Sequence, residues 1–207
     1  MAYGDLPKNF IRPAGLLTFD YHFTPYSSAG LEIQKGFLKG GDRENTSIDI
    51  HHRFYKNSYI AAILNGKIEL AELVDLRRGD LLYPVRGFYI GTGIGAIYSK
   101  MTDINRTKIQ DQIQADGSIK KVPYTFPGAD KGIDLLVPVN TGISFNFEDK
   151  WGYRKYALNF NYQLNMVLGE KIDGYDDPPS IFKNKHGDYL GVMSVGFKMF
   201  FGPEGIY

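Results

Sequence analysis

The chain contains no cysteine among its 207 residues. That removes disulfides, thiol nucleophiles and thiolate metal sites, and with them thiol redox chemistry, while leaving the compartment open. Neither sign of charge is in excess, with 24 Lys and Arg against 23 Asp and Glu. No strong field is available to gather nucleic acid or an acidic surface, so nucleic-acid binding is not expected. No apolar run approaches the roughly 18–20 residues that a membrane helix needs, which excludes a helical membrane protein. A membrane barrel is compatible with that absence, because its lipid-facing and lumen-facing residues alternate and keep the average hydropathy modest. Met1-Ala2-Tyr3-Gly4-Asp5 does not read as the basic and apolar segments of an export signal. No linker interrupts the sequence, and residues 1–207 read as a single domain.

What the chain does have is 15 Tyr, 14 Phe and 24 Gly, a mixture that favours strands and tight turns. Alternation is clearest where Tyr156, Leu158, Phe160, Tyr162, Leu164, Met166 and Leu168 share one parity and Lys155, Ala157, Asn159, Asn161, Gln163 and Asn165 share the other. A strand of that length, with one apolar and one amide-rich face, exceeds the usual strand of a soluble sandwich. Ile133 to Phe147 repeats the pattern, with Ile133, Leu135, Val137, Val139, Ile143, Phe145 and Phe147 opposite Asp134, Asn140, Gly142, Ser144 and Asn146. Near the C-terminus Tyr189, Met193, Val195, Phe197, Met199 and Phe201 oppose Ser194, Gly196 and Lys198. The run Ile11 to Phe23 and the run Ala29 to Phe37 form a hairpin around Thr24-Pro25-Tyr26-Ser27. Tyr59 to Leu73 and Phe88 to Tyr98 complete the set, with a helix over Lys67 to Asp75 as an alternative for the end of the former.

The connections between these strands alternate in length. Thr24–Ser27 and Glu148–Tyr153 are short, Asp75–Arg86 is intermediate, and Lys39–Ser58, Ser99–Lys131 and Gly169–His186 are long. Tight turns on one rim and long polar loops on the other are the layout of outer-membrane barrels. The expected fold is therefore all-β, a closed antiparallel up-and-down transmembrane barrel of about eight strands, whose lumen side chains can fill. The alternation supplies seven strands, whereas single-chain bacterial barrels use an even number. Met1 to Asp5 read as the last residues of a first strand, with the start assigned at an internal Met; Thr46 to Phe54 is the alternative eighth strand.

The sequence resembles the small outer-membrane β-barrel proteins of the Bacteroidota. The resemblance is carried by Ala2-Tyr3-Gly4-Asp5-Leu6, Arg12-Pro13-Ala14-Gly15, Phe23-Thr24-Pro25, Lys39-Gly40-Gly41-Asp42 and Leu136-Val137-Pro138-Val139-Asn140-Thr141-Gly142. It continues in Asp173-Gly174-Tyr175-Asp176-Asp177-Pro178 and from Tyr189-Leu190 through Val195 to Gly202. It implies the outer membrane as location and no common chemistry, with some related barrels acting as accessory subunits of envelope machines. Gly196 to Phe201 is similar to the aromatic-terminated last strand that barrel-assembly machinery recognises.

Chemical motifs are weak. Gly91-Thr92-Gly93-Ile94-Gly95-Ala96 matches a loose nucleotide fingerprint, but the glycines share one face of a strand and no helix follows to receive a pyrophosphate. His51 and His52 are neighbours that point to opposite faces of a strand, and His22 and His186 lack an obvious partner, so no metal site is expected. Asp173, Asp176 and Asp177 lack the ligand spacing of a Ca²⁺ loop and read as solvated. Arg77-Arg78 and Lys120-Lys121 read as solvated basic pairs. Nothing resembles a nucleophile elbow or a base with its orienter, so neither catalytic activity nor a cofactor or small-molecule substrate is expected. The functional expectation is a structural or accessory barrel in outer-membrane lipid that presents Ser99–Lys131 and Gly169–His186 to a protein partner in an envelope complex. The alternatives are a soluble lipocalin-like barrel around an apolar ligand, which needs the apolar faces inward, and a narrow pore.

Overall fold

A computed structural model describes residues 2–3, 10–41, 54–74, 81, 83–114, 118–125, 127–169, 171–175 and 188–202. Its chain order is β1 (Ala2–Tyr3), β2 (Ala14–His22), β3 (Ser27–Gly41), β4 (Phe54–Glu69), a helical turn α1 (Leu70–Leu73) and a 3₁₀ turn at Tyr83–Val85. Then come β5 (Phe88–Asn105), β6 (Thr107–Ile113), β7 (Ile119–Thr125), β8 (Lys131–Glu148), β9 (Arg154–Val167) and β10 (Tyr189–Met199). The long strands pair antiparallel in the order β10-β9-β8-β5-β4-β3-β2, and β1 adds to the free side of β10 through Ala2↔Leu190 and Tyr3↔Tyr189. The protein is all-β, and its main sheet curls into an open half-barrel. Among the described residues no helix is long and apolar enough to cross a membrane, which says nothing of strands.

Side-chain parity sets which way each strand faces. In β9 the Phe160 ring is 41% exposed while Gln163 and Asn165 on the other parity are at 0%. The same division holds along β3, where Leu31, Ile33 and Phe37 face outward and Glu32 and Gln34 are buried. One residue of slip would invert every such face, so the 15-position ladder between β3 and β4 is pinned by this pattern along its whole length. Glycine makes close approach possible at one place in particular. A Cβ on Gly93 would run into the backbone carbonyl of Leu64 on β4, which explains the Gly91, Gly93, Gly95 run as packing within a strand.

The tight connections share one rim. Thr24 Oγ1 accepts the N–H groups of Tyr26 (3.1 Å) and Ser27 (2.9 Å) and donates to Glu72 Oε2 (2.6 Å), closing the β2–β3 turn onto α1. Between β8 and β9, Asp149 Oδ1 accepts from Trp151 N–H (2.9 Å) and Tyr153 N–H (3.0 Å), and Gly152 takes a φ of +85°. Arg154 ties these turns together, donating to Pro25 O at 2.7 Å and to Glu69 Oε2 at 3.4 Å. The helix considered over Lys67 to Asp75 is present for one turn, Leu70–Leu73; Lys67–Glu69 remain in β4, and no side-chain cap prolongs the turn before Val74 returns to extended geometry.

Two readings of the other rim need correction. Ser99–Lys131 is not a loop: β5 runs on to Asn105, and β6 and β7 form a two-stranded ribbon with Thr107 opposite Thr125 and Ile113 opposite Ile119. Its sequence lacks the long apolar parity of the barrel strands, so alternation did not reveal it. A ladder that directly prolongs β5 needs no apolar face of its own to start, since its register is already set. The described part of Gly169–His186 turns inward rather than outward, as set out below. Of the alternative eighth strand, residues 46–53 lie outside the described residues, and Phe54 opens β4.

Candidate functional site

The enclosed side of the sheet is built in three levels. At the rim of the long connections, Tyr55, Tyr59, Ile63 and Ile97 pack with Met101, Leu136, Val167 and Leu190 into a hydrophobic cluster. Ile172 and Tyr175 join it from the segment 171–175, at 1% and 4% exposure. That segment is fastened by backbone as well as packing. Asn57 Nδ2 donates to Ile172 O (2.6 Å), Arg106 Nε donates to Gly174 O (2.9 Å), and Tyr175 accepts Phe54 N–H (3.0 Å) while donating to Asn105 O (2.6 Å). The result is a cap over the mouth on that side. These inward apolar residues share a parity with polar ones, and reading each strand as half apolar and half polar missed them.

The middle level is polar and crosses the enclosed space. Glu32 on β3 receives Gln34 Nε2 (2.6 Å) and Gln163 Nε2 (3.0 Å) on one oxygen and Asn65 Nδ2 (3.3 Å) on the other. Gln34 and Gln163 also bond to each other, joining β3 to β9, strands that are not neighbours in the sheet. Asn140 donates to Asn65 Oδ1 at 3.1 Å, Asn161 donates to Asn140 Oδ1 at 3.3 Å, and Tyr89 donates to Asn161 Oδ1 at 2.9 Å. Each side-chain amide nitrogen in this chain meets an acceptor, which makes burial of these groups tolerable, whereas Gln34 Oε1 and the Asn165 amide have no partner among the described residues.

The level at the tight-turn rim is ionic. Asp20 on β2 meets Lys198 on β10 at 3.1 Å and Lys67 on β4 at 3.6 Å. His22 lies beside this group, its ring 5.4 Å from that of Phe200. Outside the same rim stands a band of exposed rings: Tyr21, Phe23, Phe88, Phe145, Phe147, Tyr156, Phe197 and Phe201, with Trp151 in the β8–β9 turn. Several touch, as in the stacked pair Tyr156 and Phe197 with centroids 5.5 Å apart.

No family model, curated protein or solved structure matches the chain. The geometry therefore carries the functional reading by itself.

His51, His52, His186, Asp176, Asp177, Arg77 and Arg78 lie outside the described residues. Asp173, expected in a solvated loop, is buried at 6% within the cap, where its Oδ1 accepts Tyr175 N–H at 3.0 Å. Lys120 and Lys121 are exposed on β7. Among the described residues no three His, Asp or Glu converge in a way that would hold a metal ion. What the arrangement builds is an interior cross-braced by hydrogen bonds between distant strands and covered at one mouth by residues 171–175.

Proposed function

We propose that the chain is an integral outer-membrane β-barrel of the kind its sequence resembles, without catalytic activity, serving as a structural or accessory subunit of an envelope complex. The observation that carries this reading is the direction of the faces. Phe19 (62%), Leu64 (61%), Ile94 (58%) and Phe197 (64%) stand outward on strands from one edge of the sheet to the other, while Glu32, Gln34, Asn140 and Gln163 are enclosed. An apolar surface that continuous far exceeds the scattered patches of a soluble monomer, and hydrocarbon is the solvent that suits it. The ring band at the tight-turn rim fits a headgroup boundary, where amphipathic aromatics concentrate.

A lipocalin-like role is disfavoured because an apolar ligand would meet amides and carboxylates inside. A narrow pore is disfavoured by the Glu32–Gln163 bridge and the cap at Tyr175, which cross the conducting path. Partner contact then falls to the rim of long connections, where the β6–β7 ribbon extends beyond the main sheet and its exposed Lys120 and Lys121 are accessible.

The test is to separate envelope fractions of cells making the chain and to isolate it in mild detergent. Retention in outer membrane through carbonate washing, with a stoichiometric copurifying protein that is lost when residues 107–125 are replaced by a short turn, is expected. Recovery in the soluble extract defeats the membrane assignment, and purification always as a lone chain defeats the accessory role.

A further inference from the structure

Among the described residues the curled sheet is interrupted between β2 and β10. Among the described residues β2 pairs on one side, with β3, and β10 pairs with β9 along its length and with β1 at Tyr189 and Leu190. Among the described residues no strand lies on the other side of Val192–Met199 in the 11-residue β10. The two edges face each other and stand apart. Three cavities follow one another down the gap: about 160 Å³ between Ile11, Ala14 and Val192, about 490 Å³ between Leu16, Thr18 and Gly196, and about 380 Å³ between Asp20, His22 and Lys198. A Cβ placed on Gly15 of β2 or on Gly196 of β10 would meet nothing within 4 Å. Among the described residues, side chains alone reach across this space, the long Lys198 to Asp20 at 3.1 Å and, at the tight-turn end, the Phe200 ring to within 5.4 Å of the His22 ring. The spacing is that of a sheet from which one strand is missing, not of two edges about to pair.

We propose that the seam is a slot for one further extended strand, continuous with β1 through Ala2 and antiparallel to both β10 and β2. The direction comes from β1, whose two residues already lie antiparallel on β10 at the capped end and point the path toward the tight-turn rim. This inference rests on the membrane reading for its energetic reason. In hydrocarbon each unpaired backbone N–H or C=O costs several kcal/mol, so two bare edges cannot remain open. A strand crossing the apolar core needs about 9–11 residues, and the 11-residue β10 beside the gap is of that length. Its chemistry follows from its neighbours, because directly opposed residues share a face. Positions opposite Met193, Val195 and Phe197 face outward and are apolar. Positions opposite Ser194, Gly196 and Lys198 face inward and are small, since the Lys198–Asp20 ion pair spans the space beneath them.

The absence of cysteine from residues 1–207 makes a cross-linking test clean. The chain is prepared with Val195→Cys on β10, Leu17→Cys on β2 or, as a control on a covered strand, Leu135→Cys. Each variant is mixed with a synthetic ten-residue peptide of alternating Leu and Ser carrying one central cysteine, and disulfides are read by intact mass. Addition of one peptide at Val195→Cys and Leu17→Cys but not at Leu135→Cys is expected. Protein purified from its native envelope is expected to exceed the mass of residues 1–207 by at least the length of a strand, and a Val195→Cys form made from the native gene is expected to refuse the peptide. Equal labelling at Leu135→Cys, or none at the seam, overturns the slot. A native chain with the mass of residues 1–207 that accepts the peptide overturns its continuity with β1. The cross-link is read in micelles or in solution alike, so recovery of the chain in the soluble extract sinks the membrane reading by a separate result.

Discussion

Glu32 is the residue on which the interior turns. A carboxylate buried to 3% exposure is normally tied to a cation, yet its closest partners are three side-chain amides from β3, β4 and β9. Glu32→Leu strands those donors, and with hydrogen bonds to a charged group worth about 1.5–3 kcal/mol the expected loss of stability is about 2–4 kcal/mol in total. Urea unfolding of the micelle-bound chain checks this; Gln163→Leu, which leaves Glu32 two amides, is expected to lose less. Asp149 offers a second test at this scale. The little desolvation it suffers, which would raise its pKa, is outweighed by the N–H groups of Tyr153 and Trp151 and by Lys155, so its carboxyl titrates below the ordinary value. A folded pKa below the unfolded one gives a contribution that is complete above the unfolded value, near 4, and lost as pH falls through the folded value. Trp151 is the chain's one tryptophan and sits in that turn. Its fluorescence is expected to stay flat on acidification until below about pH 4, where an unperturbed Asp would already be half protonated. In Asp149→Asn the step is expected to vanish.

At the scale of elements, the segment 171–175 and the β6–β7 ribbon divide the work of the long-connection rim. The first is held by Tyr175, whose hydroxyl links the start of β4 to the end of β5. Tyr175→Phe keeps the ring in the hydrophobic cluster and removes those bonds, with an expected cost of about 1–2 kcal/mol. Hydrogen exchange should then quicken at residues 171–175 while β8 and β9 keep their protection; uniform loss would mean the cap is integral to the sheet rather than seated on it. The alternation of apolar and polar side chains disclosed the seven long strands. It missed the ribbon, whose residues satisfy a ladder without a buried face, and it missed the cap, because Ile172 and Tyr175 are isolated apolar residues in a polar stretch. Nothing local distinguishes such residues from solvated loop until the cluster they enter exists.

For the whole molecule the decisive quantity is the cost of putting charge on the outer face. A lysine facing lipid near the midplane of a barrel costs about 2–4 kcal/mol, falling toward zero at the interfaces. Phe160→Lys and Leu64→Lys are therefore expected to impair folding into lipid vesicles by that amount each, while Lys150→Glu, an exposed charge in the β8–β9 turn, should change little. Equal tolerance at all three would mean that the outward face meets water.

Sequence alone determined that the chain is strand-built, which parity of each long strand is apolar and which connections are short, because these depend on near-neighbour spacing of 2 and on turn chemistry. Two matters were decided by tertiary structure. Where the enclosed side is amide, where it is tyrosine and aliphatic, and where it is ionic depends on the relative level of strands far apart in the chain, as the meeting of Gln34 with Gln163 shows. That β2 and β10 face each other across a strand-wide seam follows from the accumulated twist and curl of the sheet, a property no single strand contains.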